Sequence, residues 1–181
     1  ITALQAMDIT DNVVALMAKE VKRLPVTTQA VLKLAACIGN QFDLATLSII
    51  HQESDETTLG YLQTALQEGV ILSLDGIYKF AHDRIHQAMY SLIPEKSLKA
   101  VHLKIGRLLL EHIPKRDQGK QLFDIVNHFN RARLLVDKAD ERLELVKLNL
   151  AAADKSKAGT AWGEALEYLH HAEALLGPQG W

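Results

Sequence analysis

The chain has 181 residues, 48% of them apolar and 23% charged, with a formal net charge of −2. That is the composition of a globular protein, and so small a charge excludes a global positive field for holding nucleic acid or an anionic membrane. A single cysteine, Cys37, cannot close an internal disulfide, and no apolar run approaches the roughly 18 residues of a membrane helix, so the chain reads as cytoplasmic.

Ile1 stands where an initiator Met would be and no signal peptide is present, so the expectation is a piece of a longer protein that stops at Trp181. Four prolines (Pro25, Pro94, Pro114, Pro178) punctuate it, each a poor helix-interior residue. Residues 9–24 predict a first amphipathic helix, with Val13, Val14, Met17, Val21 and Leu24 on one face and Thr10, Asp11 or Asn12 as cap. After Pro25, the residues Val31, Leu32, Leu34, Ala35 and Ile38 predict a compact helix that Gly39-Asn40 ends in a left-handed cap. Asp43 caps a short helix carrying Leu44, Leu47, Ile49 and Ile50. Ser54 caps a third, with Leu59, Leu62, Ala65 and Leu66 inward and Gly69 closing it.

Residues 70–74 and 77–80 are β-prone runs separated by Asp75-Gly76, a dipeptide that suits the positive φ angles of a tight hairpin. Three short helices and then a hairpin is the order of a winged helix. Helical periodicity returns at 81–93, where Pro94 stops it, and continues at 95–113, 121–136, 140–157 and 160–176. Ala153, Gly159, Ala165, Leu169, Ala172 and Gly177-Pro178 nearly match the small-residue spacing of a tetratricopeptide (TPR) unit. One such helix pair cannot cover its own apolar faces, so a longer helical array is expected. The predicted fold is mainly α: a linking helix at 1–24, a winged helix with one small β-hairpin at 25–94, and an antiparallel helical region at 95–181, TPR-like from about 140.

No phosphate-binding P-loop is present. The only Gly-Lys pair, Gly119-Lys120, has Pro114 where the first glycine belongs and Gln121 where the hydroxyl belongs. Gly-x-Gly-x-x-Gly and Gly-x-Ser-x-Gly are also missing, so no self-contained enzyme, catalytic residue or bound cofactor is expected. His82 and His86 stand i, i+4, the spacing of paired zinc ligands, but no Cys lies near them and Asp83-Arg84-Ile85 lacks a zinc-protease glutamate, so no metal site is expected. His170 and His171 are adjacent and point apart on a helix. Cys37 reads as a small buried hydrophobe, and Trp162 and Trp181 as packing residues.

A DNA-binding winged helix needs cations on its third helix and wing. Residues 54–80 carry four acids (Asp55, Glu56, Glu68, Asp75) against one base, Lys79, so nucleic acid is not expected as a partner. The bases gather later: Lys96, Lys99, Lys104, Arg107, Lys115 and Arg116 outnumber Glu95 and Glu111. They form either a solvated helix face or a docking surface, centred on Lys96, Lys99, Lys104 and Arg107, for an acidic partner.

The string Phe80-Ala81-His82-Asp83, running into Ile85, Ala88 and Tyr90, resembles the winged-helix domain of STAND-type signalling ATPases, relatives of the AAA class. Their motif is Met-His-Asp, whose His reaches the β-phosphate of ADP in the preceding nucleotide-binding domain; here Ala81 replaces the Met. The resemblance implies that His82 and Asp83 sense nucleotide. The alternative from the residues themselves is that Asp83 caps a helix beside a surface His82. Residues 32–44, 78–84 and 102–109 together are similar to the ATPase segment of large bacterial, especially cyanobacterial, kinases that join a serine/threonine kinase, a helical array and a histidine kinase. That implies a non-catalytic regulatory module, with ATP or ADP held by the parent protein. Its partners would be an upstream nucleotide-binding domain, downstream helical repeats and a further protein. Two other readings stand beside it: a winged-helix transcriptional regulator, and a helical-repeat interaction scaffold.

Overall fold

The computed structural model describes residues 21–176. The helix expected at 9–24 therefore lies outside the described residues except at its end, where Val21 and Leu24 are buried; Gly177-Pro178 and Trp181 also lie outside. The chain divides into two compact units, Ile1–Glu95 and Lys96–Trp181.

In the first unit α1 (Val26–Ile38) starts after Pro25, whose missing N–H costs nothing at a helix start. Its buried face, Val31, Leu32, Ala35 and Ala36, packs into a core with Leu47, Leu62, Ala65, Ile71, Phe80 and Met89. Fully burying a Leu or Phe of this kind stabilises by roughly 1.5–3 kcal/mol. Gly39 leaves the helix nearly extended, at φ 158° and ψ −168°, and not in the left-handed cap the dipeptide predicts. The reason lies in the next segment: residues 41–43 run directly into a strand, β1 (Gln41–Asp43).

Asp43 caps α2 (Leu44–His51), with Oδ1 accepting from the Thr46 backbone N–H at 2.8 Å. Ser54 caps α3 (Asp55–Gln67) through Oγ, which accepts from the Thr57 N–H at 3.1 Å. Gly69, at φ 65°, closes α3; its N–H reaches the Leu66 carbonyl and the next N–H, of Val70, reaches that of Ala65. That pair of bonds satisfies two orphan carbonyls of the last turn.

The hairpin forms as expected, β2 (Ile71–Leu74) and β3 (Ile77–Phe80) turning on Asp75 at φ 50° and Gly76 at φ 82°. It is not alone. β1 pairs antiparallel with the other side of β3, giving a three-stranded sheet in the order β1-β3-β2 where the sequence predicts two strands. Phe42 of β1 stacks on Tyr78 of β3, ring centroids 5.8 Å apart, and both are buried. Leu72, Leu74 and Ile77 of the hairpin stay exposed. Helix α4 (Asp83–Ser91) comes next and buries Ala88 and Met89.

Among the described residues the second unit has only helices: α5 (Glu95–His112), the short α6 (Lys115–Gln118), α7 (Leu122–Arg131), a 3-10 turn (Arg133–Leu135), α8 (Ala139–Ala158) and α9 (Trp162–Leu176). The single helix expected at 121–136 stops at Arg131, because Ala132 at φ −115° and ψ 10° leaves helical geometry. Core residues Leu103, Ile105 and Leu109 of α5 are buried, as are Ile125, Val126 and Phe129 of α7 and Leu145 and Ala152 of α8. Gly106 lets α7 come close, since a Cβ there would sit 2.9 Å from the Phe129 ring.

Helices α8 and α9 pack along their length as a helical hairpin, with small Ala152, Ala153, Ala165 and Ala172 buried. Trp162 is not a packing residue: it is 61% exposed, at the start of a stripe continued by Leu166 and Leu169 on α9, while Leu143 and Leu150 are exposed on α8. Among the described residues no helix is long and apolar enough to cross a membrane.

Candidate functional site

Two backbone hydrogen bonds fix where β3 ends and α4 begins. The Phe80 N–H donates to the Asn40 carbonyl at 3.0 Å and the Ala81 N–H to the Val70 carbonyl at 3.0 Å. Immediately beyond, His82 is extended, at φ −148° and ψ 143°, and it takes the N-cap position of α4. Its Nδ1 accepts from the Arg84 N–H at 3.1 Å. The cap is therefore His82 itself, not Asp83 as the residue types suggest: Asp83 stands in the first turn, its Oδ1 accepting from Asn40 Nδ2 at 2.8 Å. That bond ties the start of α4 to the segment between α1 and β1.

The cap decides the chemistry of the imidazole. With Nδ1 committed as acceptor, the neutral ring carries its proton on Nε2, and His82 is exposed. The site thus presents one N–H donor at a helix N-terminus, where aligned peptide dipoles favour a negative ligand. Asp83 opposes this, its carboxylate lying one residue away.

His86 does not join His82. Its Nε2 donates to the Ala36 carbonyl at 3.0 Å and its ring lies 5.4 Å from that of Phe80, a structural role inside the first unit. Among the described residues no group of three His, Cys, Asp or Glu could hold a metal ion. Cys37 is buried.

In the second unit Lys96, Lys99, Lys104 and Arg107 lie on α5, all four exposed. Arg107 is already occupied: its Nε and Nη2 donate to the two carboxylate oxygens of Glu141 at 2.6 and 2.7 Å. Hydrogen bonding to Glu141 raises the Arg107 guanidinium further, and the same bond holds the Glu141 carboxyl below the usual carboxylate range. Among the described residues Lys96, Lys99 and Lys104 have no such carboxylate partner.

The buried polar groups of this unit carry little signal in the sequence. His102 of α5 and His128 of α7 meet Nδ1 to Nδ1 at 2.8 Å, both nearly inaccessible. Burial, then the nearby Arg131, pushes His102 down to about 4. Burial, then His102 and Arg131, pushes His128 down to about 3. At neutral pH both rings are uncharged, one donating to the other. Asn130 of α7 and Asn149 of α8 exchange two amide hydrogen bonds at 2.8 and 3.0 Å. Asn149 does leave a trace in the sequence: it falls on the spacing of Leu145, Ala152, Ala153 and Ser156, a polar residue on a helix's buried stripe. Nothing in the spacing of His102 and His128 announces their meeting.

No family profile and no solved structure matches the chain. It is similar to a segment of "Hybrid signal transduction histidine kinase G" from Dictyostelium discoideum, 29% identical over 229 aligned positions that cover 97% of this chain. It is also similar to a segment of "Peroxide stress-activated histidine kinase mak3" from Schizosaccharomyces pombe, 32% identical over 164 positions covering 87% of this chain. The chain spans 7% of the length of each of these relatives.

Proposed function

We propose that this chain is a non-catalytic regulatory module of a multidomain histidine kinase, and that His82 reads the nucleotide state of a neighbouring domain. The likeness to two histidine kinases supports the kinase setting. The finer reading, a winged helix in a STAND-type ATPase region that relays ATP or ADP binding to the helices that follow, rests on the resemblance of 80–83 and its flanks. One observation carries it: the His82 cap leaves Nε2–H free and exposed at the N-terminus of α4, a geometry suited to a phosphate oxygen. The exposed Leu72, Leu74 and Ile77 of the hairpin supply an apolar surface against which a neighbouring domain can close. A phosphate that binds one closed state better than an open one biases the pair by its differential affinity, which is all that a relay requires. The setting is cytoplasmic, ATP or ADP belongs to the neighbouring domain, and Lys96, Lys99 and Lys104 serve as a docking face for an acidic partner.

The test compares two substitutions in the multidomain protein. His82→Asn keeps a good N-cap but cannot extend the same donor, whereas His82→Ala loses both. The expected result is weakened ADP binding and raised basal signalling in both variants, with the melting temperature lowered only in His82→Ala. Unchanged ADP affinity in His82→Asn would sink the sensor role.

A second reading is favoured by the exposed stripe of Trp162, Leu166 and Leu169 on α9 and by the exposed Leu143 and Leu150 on α8. Here the α8–α9 hairpin is one layer of a helical array, and the stripe is where the adjacent layer or a partner helix stacks.

A further inference from the structure

In the second unit the end of α7, the 3-10 turn and α9 enclose an open cavity of about 400 Å³, lined by Asn127, Asn130, Arg131, Arg133 and His171. Its volume lies within the range of small-molecule sites, and its walls are polar. Arg131 and Arg133 are both exposed, and among the described residues neither guanidinium has an ion-pair or hydrogen-bond partner. Elsewhere in this unit Arg107 is paired with Glu141 and Lys120 with Asp117. Two cations left unpaired on one cavity repel each other unless an anion joins them.

The remaining walls are held in place for donation. Asn127 accepts the Tyr168 hydroxyl on its Oδ1 at 3.0 Å, so its amide N–H₂ is the end left to give. Asn130 is buried and locked by Asn149, which makes it a rigid wall and not an adjustable ligand. Burial lowers the pKa of His171, the facing Arg133 and the adjacent His170 lower it further, and Glu167 opposes them. Glu167 is the carboxylate that His171 feels, and Glu164 and Asp124 act with it on Tyr168, behind Asn127, so acids stand behind the α9 wall while the two guanidiniums line the cavity.

We propose that this cavity binds the phosphoryl group of a small phosphorylated ligand, with Arg131 and Arg133 gripping its oxygens and Asn127 and His171 completing the donor set. Two planar forks and two further N–H groups offer more donors than the two oxygens of a carboxylate accept, and match the three terminal oxygens of a phosphate monoester. The site lies within the second unit and is independent of His82.

The experiment titrates the isotope-labelled 181-residue chain with inorganic phosphate and, separately, with phosphoserine, holding ionic strength constant with sodium chloride. Arginine side-chain, histidine ring and backbone signals are followed by NMR. Saturable shifts are expected at residues 127–133 and 171 in at least the phosphoserine arm, weakening about tenfold in Arg131→Gln and in Arg133→Gln, a loss of about 1.4 kcal/mol. Arg131→Lys and Arg133→Lys should fall between, keeping charge but losing the fork. Binding of both ligands, or of phosphoserine alone, supports the site, the second showing that the esterified group is also read. Shifts reproduced by sodium chloride alone, or untouched by the Gln variants while their melting stays normal, overturn it.

Discussion

The His102–His128 contact shows how a pair of ordinary residues acquires a pH-dependent stability. Both rings are neutral when folded, with pKa values pushed down to about 4 and about 3, while in the unfolded chain each returns to about 6.5. As pH falls below 6.5 the unfolded chain binds protons that the folded chain refuses, so the unfolding free energy drops. The loss runs at roughly 1.4 kcal/mol per pH unit for each ring until the folded values are reached. Urea titrations at about pH 7 and about pH 5 should therefore show a lower midpoint in the more acidic series, and His102→Leu/His128→Leu should flatten that difference. An undiminished difference in the double variant would remove the pair as its cause. At this scale the sequence is legible where chemistry is local: Asp43 and Ser54 cap the helices that begin one residue after them. It is silent where partners lie far apart, as His102 and His128 do at 26 residues, because no short-range pattern encodes a tertiary meeting.

Among elements, the hairpin is the most legible, since Asp75-Gly76 states its own backbone requirement. Gly76 at φ 82° suits glycine and penalises a β-branched side chain. Gly76→Val should lower the stability of the first unit by about 1–2 kcal/mol. Amide exchange should quicken across the Leu72–Lys79 pair. Gly60, inside α3 with nothing within 4 Å of where a Cβ would stand, offers the opposite sign. Gly60→Ala should raise stability by roughly 0.5–1 kcal/mol through helix propensity alone. If both glycines responded alike, the turn geometry would not be what holds the hairpin. Strand β1 is illegible for a different reason. Three residues with one buried side chain, Phe42, are too short to declare a period, and the strand exists only because β3 has a free edge to offer.

Over the whole molecule, the order of helices and hairpin is readable from prolines, caps and periodicity, but which apolar residues end up covered is not. Trp162 and Leu166 follow the helical period as faithfully as the buried Ala165 and Tyr168 do, and only the packing of α9 on α8 separates the two sets. An uncovered stripe of this size favours association. Leu166→Ser/Leu169→Ser should leave the unfolding free energy within about 0.5 kcal/mol, as for surface sites, while reducing binding of an apolar fluorescent dye. A large fall in stability would mean the stripe is covered within this chain after all. The candidate site residues are legible as a motif, but their roles are not. Only the folded chain shows that His82, and not Asp83, supplies the cap, and that Arg107 is spent on Glu141.

The Asn130–Asn149 exchange has a mechanical corollary. Each amide is buried and satisfied by the other, and Asn149 also donates to the Leu145 carbonyl. Sliding α7 along α8 by even one turn would strand these groups among apolar neighbours, at about 1–3 kcal/mol apiece. The two helices are bolted in register, so a push delivered to one end of α7 must swing the pair as a single lever.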